Sequence, residues 1–193
     1  MEQTTFDFLK QPGQQLPEGF RYQPEFLSED EERELLRGIA GVEWREVRMH
    51  GVVAKRRVIH YGLDYGYESW QLVEGPPIPR FTEPFLARAA VELGITRAEI
   101  AAVLITHYPP GAGIGWHRDA PMFGDAVFGV SLAAPCTMKL RREVSGAFET
   151  VKVQLEPRSS YVISGPSRSV WQHSIPAVKA DRYSITVRTR RFP

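Results

Sequence analysis

The hydrophobic positions of the first half of the chain predict two helices. Ser28 is followed three residues later by Glu31, which predicts a capping box, and apolar residues then recur at helical spacing as far as Ile39. A second helical pattern runs over residues 82–92 and stops at Gly94, a residue type that favours the left-handed conformation at a helix end. We therefore expect two amphipathic helices in this half.

The second half of the chain has short β-rich runs separated by turn residues. These runs cover residues 100–108, 127–133, 137–141, 150–155, 160–163, 171–173 and 183–190. Residues 44–67 are also strand-like, with Val52-Val53 and Val58-Ile59 separated by a basic triplet, which predicts a hairpin. The pattern predicts a mainly β (α+β) fold, a sandwich or jelly roll with helices on its N-terminal side.

Composition favours one folded domain. The first 24 residues are rich in Gln, Pro and Gly and predict an irregular N-terminal arm. We assign residues 25–193 to a single domain, with helices and hairpin in 25–99 and the β core in 100–193. At 193 residues and 42% hydrophobic content, the chain can bury a substantial core.

Cysteine content and hydropathy predict the compartment. Cys136 is the single cysteine, which excludes an internal disulfide framework and agrees with a reducing environment. The amino terminus has no apolar segment behind basic residues, and no apolar window reaches the length of a membrane span. We expect a cytoplasmic monomer without membrane association.

The segment Gly115-Trp116-His117-Arg118-Asp119 carries the first candidate metal ligands. On extended backbone, His117 and Asp119 lie on the same face, so both can bind one ion. His173 would complete a 2-His-1-carboxylate facial triad, a ligand set that suits ferrous iron, with zinc or manganese as rivals. A His-x-Asp pattern by itself recurs by chance and is more often structural.

The C-terminal strand pattern has one polar and one apolar face. The polar face comprises Arg182, Ser184, Thr186 and Arg188. A buried guanidinium needs an anionic partner and matches a carboxylate through two parallel hydrogen bonds, so this face fits a dicarboxylic co-substrate such as 2-oxoglutarate. Thr106 and Tyr108 share a face of an earlier strand, and the phenol hydroxyl could reach the same acid. The alternative is an exposed edge strand with solvated arginines.

Several segments together resemble the AlkB-like branch of the iron(II)/2-oxoglutarate dioxygenases. They are residues 106–111 (THYPPG), 114–119 (IGWHRD), 130–132 (VSL), 171–176 (WQHSIP) and 182–188 (RYSITVR). Weaker similarity to the family's opening helix and its substrate-side lid extends over 26–32 and 55–67. The resemblance implies a double-stranded β-helix (jelly roll) with N-terminal helices and a β-hairpin substrate lid.

The resemblance also implies cofactors and residue roles. Fe(II), 2-oxoglutarate and O2 would act together, converting 2-oxoglutarate to succinate and CO2 while a substrate carbon is hydroxylated. The implied iron ligands are His117, Asp119 and His173. The implied co-substrate pocket comprises Arg182, Arg188 and Tyr108, with Thr106 and Ser184 at positions where the family often has asparagine.

We interpret the chain as an oxidative demethylase of alkylated nucleobases in DNA or RNA, which would release an aldehyde from an N-alkyl group. Base-repairing relatives commonly have an acidic residue two positions after the ligand aspartate, whereas this chain has Pro121. That difference supports an alternative, a hydroxylase of a modified tRNA nucleoside or of a protein side chain. A non-catalytic jelly-roll binding module is a second alternative, because fold alone does not establish activity.

Aromatic and charged residues predict a nucleic-acid partner. The candidate substrate contacts are Tyr65, Tyr67, Arg57, Trp116 and Asp125. Each also has an ordinary structural reading, as packing, solubilising charge or loop capping. Basic clusters at 55–57, 139–142 and 188–191 would form a phosphate track if they flanked the site, and otherwise only solubilise the protein. The net charge of +1 does not decide between these readings.

Overall fold

The computed structural model describes residues 15–49, 52–66 and 71–190. Its helices are α1 (Glu29–Ile39), α2 (Glu83–Leu93) and the short α3 (Gly165–Ser169), with 3₁₀ turns at Arg80–Thr82 and Arg97–Glu99. Its strands are β1 (Phe20–Gln23), β2 (Arg45–Met49), β3 (Val52–Gly66), β4 (Gln71–Glu74), β5 (Ile100–Tyr108), β6 (Ile114–His117), β7 (Phe123–Leu132), β8 (Cys136–Val144), β9 (Ala147–Leu155), β10 (Ser160–Ser164), β11 (Gln172–Ile175) and β12 (Arg182–Arg190).

Two antiparallel sheets form the body of the protein. The larger has eight strands in the order β1-β10-β7-β12-β5-β3-β2, with β4 paired to β3. The smaller has four strands in the order β6-β11-β8-β9. Strand β12 lies inside the larger sheet, where Arg182 is opposite Tyr108 of β5 and Ser184 is opposite Ser131 of β7. This architecture confirms the predicted mainly β jelly roll.

Both faces of the larger sheet are covered. On one face, β-strand residues such as Ile105 and Ile185 pack with Leu86 of α2 in a cluster of fully buried side chains. On the other face, Ile163 belongs to a second cluster with Leu140 of β8 and its neighbours in the smaller sheet. Burying each such side chain stabilises the fold by roughly 1.5–3 kcal/mol. The second cluster holds the two sheets at the separation that the site between them requires.

The predicted start of α1 and the predicted end of α2 are both confirmed. Ser28 caps α1, and its side chain accepts from the Glu31 amide while the Glu31 carboxylate accepts from the Ser28 amide. Gly94 ends α2 in the left-handed conformation, at φ 67°. Burial opposes ionisation of Glu31, but the Ser28 amide and the Arg88 guanidinium, 2.6 Å away, lower its pKa. The capping network therefore joins α1 to α2.

Two predictions in the N-terminal half are wrong in detail. The irregular arm was expected to reach residue 24, yet Phe20–Gln23 forms β1, which pairs with β10 because Phe20 and Tyr22 bury their rings. Residues 1–14 lie outside the described part of the chain. The basic triplet 55–57 does not separate two strands, because it lies within β3, which pairs with both β2 and β4.

Among the helices that the structure describes, none combines the length and apolar character needed to cross a bilayer.

Candidate active site

Strand pairing in the smaller sheet brings the predicted metal ligands together. Antiparallel pairing of β6 with β11 places His117 directly opposite His173, with ring centroids 4.2 Å apart. Asp119 follows β6 by two residues, and its Oδ2 lies 3.7 Å from His173 Nε2. Three groups that are remote in sequence thus meet on the inner face of the smaller sheet, facing the larger one.

Both imidazoles are prepared to act as neutral ligands. The carbonyl of Gly115 can only accept a hydrogen bond, so its contact of 2.8 Å assigns the proton of His117 to Nδ1 and leaves Nε2 available to a metal. Burial lowers the pKa of His117, and burial lowers that of His173 to about 4. Metal binding requires deprotonated imidazole nitrogen, and burial favours that form at both residues.

Asp119 is held as an anion by Arg188. The guanidinium Nη2 donates to Asp119 Oδ1 over 2.7 Å, and both side chains are almost fully buried. Burial raises the pKa of Asp119, but Arg188, His173 and His117 together bring it far below its ordinary value. We predicted Arg188 in the co-substrate pocket; it lines the same cavity as Tyr108, and its guanidinium pairs with Asp119, the predicted ligand carboxylate.

The chemistry of the three groups fits an iron ion. Adjacent ligands about 2.1 Å from an octahedral ion are on the order of 3 Å apart, close to the 3.7 Å between His173 and Asp119. Within the described residues, no three His, Cys, Asp or Glu side chains already surround a common point closely enough to hold an ion. Two imidazoles and a carboxylate are the donors that non-haem iron sites use.

Arg182 provides an uncompensated cation in the larger sheet. Its side chain is fully buried, and Nε donates to the Ser131 hydroxyl over 3.1 Å. Nη1 and Nη2 are buried and have no hydrogen-bond partner in the described part of the chain. The guanidinium carbon lies 5.0 Å from the centroid of the Tyr108 ring, and burial raises the pKa of that phenol, which keeps it a neutral donor. Such a fork requires an anion, and a carboxylate fits it.

A cavity of about 130 Å3 between the sheets connects these groups. It is lined by the predicted ligands His117, Asp119 and His173, by Arg188, and by the predicted co-substrate residues Thr106, Tyr108 and Ser184. Thr106 and Ser184 are cross-strand partners on β5 and β12. Arg182 does not line the cavity itself, but its guanidinium carbon lies 5.0 Å from the centroid of the Tyr108 ring, which does. Apart from Arg182, the predicted residues of both classes therefore line a single space.

The predicted substrate residues are divided between different surfaces. Asp125 lines a second, more open pocket beside Asp119, together with Arg118 and Pro121. Trp116 was predicted to contact substrate, but it is absent from the cavity lining and lies on the outer face of the smaller sheet, because neighbouring strand residues point in opposite directions. Arg57 is exposed and does not line the cavity.

Two further predictions lie outside what the structure describes, namely the side chain of Tyr65 and all of Tyr67.

Sequence reasoning missed three residues of the site. Arg56 lines the cavity in place of its neighbour Arg57, and the buried ring of Tyr161 lines the cavity from β10. Arg168 of α3 donates to the carbonyls of Ala120, Phe123 and Gly124 and so holds the loop that follows Asp119. Alternation does not separate Arg56 from Arg57, because Val58 and Ile59 are both apolar, and Arg168 has no sequence signal because its contacts are to backbone.

A model of the 2OG-Fe(II) oxygenase superfamily matches residues 19–192 of the chain. The alkylated DNA repair protein ALKBH8 homolog of Arabidopsis thaliana is 31% identical over 182 residues, which cover 82% of this chain and 51% of that protein. The tRNA (carboxymethyluridine(34)-5-O)-methyltransferase alkbh8 of Xenopus tropicalis is 30% identical over 176 residues, which cover 89% of this chain and 27% of that protein. The chain thus spans about half of one of these curated relatives and about a quarter of the other.

Solved structures share the fold at low identity. The structure of OsALKBH1 has a TM-score of 0.68 and 17% identity, and the match covers 92% of this chain and 99% of that one. A prolyl-4-hydroxylase of Pseudomonas putida has a TM-score of 0.61 and 18% identity, with 90% and 93% covered. These similarities establish a common fold.

Proposed function

The chain belongs to the 2OG-Fe(II) oxygenase superfamily, in its AlkB-like branch, and from this premise we propose that it hydroxylates a carbon atom of a modified nucleoside in RNA. It is a dioxygenase, and the superfamily uses Fe(II), 2-oxoglutarate and O2. When bound, these cofactors supply an oxidant strong enough for a C–H bond, and the protein contributes binding, orientation and exclusion of water.

The observation that carries this proposal is a cavity lined by the candidate iron triad and by Tyr108, with the buried guanidinium of Arg182 beside the Tyr108 ring. His117, Asp119 and His173 would hold the iron. Arg182 would bind the distal carboxylate of 2-oxoglutarate through Nη1 and Nη2, with the Tyr108 hydroxyl beside it. Arg188 would orient Asp119 through its bond to Oδ1.

A modified nucleoside of transfer RNA is the substrate class that we favour. The Xenopus relative is named for transfer RNA and for carboxymethyluridine, although the matched segment covers 27% of that protein. Pro121 supports the same choice, because it lines the pocket beside Asp119 where nucleobase-repairing members commonly have an acidic residue. The pocket is open, which suits a nucleoside presented on a larger polymer.

Succinate formation by the iron-loaded protein tests this proposal. We expect 2-oxoglutarate turnover to be stimulated by transfer RNA, and the digested RNA to contain a nucleoside heavier by one oxygen atom. Asp119→Ala serves as the inactive control, and digested cell protein as the control substrate. Stimulation by protein and not by RNA would refute the nucleoside proposal in favour of side-chain hydroxylation.

Oxidative demethylation of alkylated bases is a second candidate, supported by Asp125. Its carboxylate lines the pocket beside Asp119, where it could accept a hydrogen bond from an exocyclic amine. Oligonucleotides carrying 1-methyladenine or 3-methylcytosine should then lose a methyl group and release formaldehyde. An unchanged mass in both DNA and RNA contexts would eliminate this candidate and leave the first intact.

A further inference from the structure

The outer face of the smaller sheet, turned away from the cavity, carries cations and aromatic rings. The inward residues of β8 and β9 are buried and apolar, including Met138, Leu140 and Val153. Alternation therefore places the intervening residues on the opposite face. This outer face includes Trp116, Thr137, Lys139, Arg141, Glu143, Phe148, Thr150, Lys152, Gln154 and Gln172, among which three cations accompany one carboxylate.

Two lysines on this outer face are direct cross-strand neighbours. Lys139 of β8 is opposite Lys152 of β9 in the sheet register. Like charges in this arrangement destabilise a sheet. Within the described residues, neither ammonium group has a carboxylate within ion-pair distance, although the same hairpin pairs Arg142 with Glu149 at 2.7 Å. The lysine pair therefore disfavours the fold by itself and favours an external anion.

Arg141 is held beside the lysines, and within the described part of the chain its terminal nitrogens have no hydrogen-bond partner. Its guanidinium carbon lies 4.3 Å from the centroid of the Trp116 ring and 4.2 Å from that of Phe148. Nε donates to Gln172 over 2.9 Å, which fixes the plane of the guanidinium. Phe148 remains 56% exposed, so part of its ring is accessible to a ligand. An immobilised arginine fork with exposed aromatic surface matches a polymer that alternates phosphates with planar bases.

One strand, β6, contributes residues both to this outer face and to the catalytic cavity. β6 is at the end of the smaller sheet in the order β6-β11-β8-β9. Its residue His117 lines the cavity, and the preceding residue, Trp116, contacts Arg141 on the outer face. A polymer on the outer face can therefore pass around the edge of β6 and present one unit to the cavity.

We propose that the outer face of the smaller sheet binds single-stranded RNA flanking the nucleotide to be oxidised. Lys139, Lys152 and Arg141 contact phosphates, while Trp116 and Phe148 provide stacking surface. The choice of RNA rests on the proposed function. An acidic protein segment would satisfy the cations but would leave the aromatic surface without a planar partner.

Equilibrium binding of a fluorescein-labelled oligouridylate to the full chain tests the proposal independently of turnover. Lys139→Glu should weaken binding and make the dependence of log Kobs on log salt shallower by about 0.7 for each lost phosphate contact. Phe148→Ala should weaken binding by at least about fivefold. Lys179→Glu is the matched control, because it reverses an exposed lysine outside this face and should leave affinity unchanged.

Thermal unfolding distinguishes a binding role from a structural one. Lys139→Glu places a carboxylate opposite Lys152 and should raise the midpoint of unfolding or leave it unchanged, while RNA affinity falls. Equal affinity of wild type and all three variants, or no RNA binding by the wild type, would overturn the proposal without affecting the succinate assay. Displacement of RNA by poly-glutamate at equal charge concentration would also overturn it, in favour of an acidic protein partner.

Discussion

Replacing Arg182 by methionine should change the stability of the ligand-free protein and its affinity for 2-oxoglutarate in different directions. In the ligand-free protein, Nη1 and Nη2 are buried without a partner among the described residues, and each unsatisfied group costs about 1–3 kcal/mol. The hydrogen bond from Nε to Ser131 recovers about 1.5–3 kcal/mol. Methionine has similar length and no polar nitrogen, so the ligand-free variant should be at least as stable as the wild type.

The affinity of the variant for 2-oxoglutarate, in contrast to its stability, should fall strongly. A lost charge-assisted hydrogen bond of about 1.5–3 kcal/mol weakens binding by roughly 10- to 150-fold. At a ligand concentration of about 100 Kd, binding stabilises the wild type by about 2.7 kcal/mol, and a hundredfold weaker Kd reduces this to about 0.4 kcal/mol. For a chain of 193 residues, the wild-type Tm should rise by roughly 5–10 °C, and the Tm of the variant by only about 1 °C.

Thermal scans with Mn(II) in place of iron, with and without 2-oxoglutarate, measure both effects in one experiment without turnover. Arg37→Met is the control, because Arg37 forms an exposed ion pair with Glu34 and its loss should change stability by less than about 1 kcal/mol and ligand response not at all. A variant that is destabilised yet keeps the wild-type rise in Tm would show that Arg182 has a structural role and that the co-substrate carboxylate binds elsewhere.

Three other substitutions test separate parts of the structure. Asp119→Ala should abolish 2-oxoglutarate turnover and weaken Fe(II) binding, which a titration measures. Asp125→Ala is the control and should bind Fe(II) as the wild type does. Equal Fe(II) affinities of the two variants would contradict the assignment of Asp119 as a ligand. Gly129→Ala should destabilise the protein by about 1–3 kcal/mol in urea unfolding, because a methyl group there would overlap the buried ring of Tyr161. The pKa of Glu31 is lowered in the folded protein, so the charged form stabilises the fold at pH values above the ordinary carboxylate pKa. In that range, Glu31→Gln should be less stable than the wild type by less than about 1 kcal/mol, and this difference should vanish as the pH falls through the lowered pKa. A stability difference that grows in acid would contradict the lowered pKa.

Local sequence signals predicted the helices because their causes are local. The Ser28 and Glu31 pair that caps α1 lies within one turn, and Gly94 ends α2 through its own backbone conformation. The C-terminal strand was equally accessible, since alternation alone assigns Ile185 to the core and Ser184 to the cavity. No interaction with a distant segment was needed for any of these predictions.

The candidate site depends on pairing between strands that are distant in the sequence, and no local sequence pattern specifies that pairing. No local pattern places His173 opposite His117, because this contact requires β11 to lie between β6 and β8. Resemblance to a known family supplied that information. The same limit explains Arg188, whose partner Asp119 is 69 residues away and could not be inferred from the alternation of β12.

The basic triplet shows where alternation fails. Lys55, Arg56 and Arg57 are all charged, so the segment has no apolar residue to indicate which face is inward. The pairing of β2 with β3 also shifts register between Glu46 and Arg48. In the structure, Arg56 lines the cavity and Arg57 does not. For Trp116 the signal was present, because a residue next to an inward ligand on a strand must point outward.

The position of Arg182 on an internal strand of the larger sheet has a consequence for how this enzyme could diversify. Pro121 and Asp125, which surround the open pocket, are partly or fully exposed and can be exchanged at a cost usually within about 0.5 kcal/mol. The arginine, by contrast, is enclosed on both sides by neighbouring strands. Mutational drift at the rim can therefore alter substrate preference while the shared oxidative chemistry is inherited unchanged.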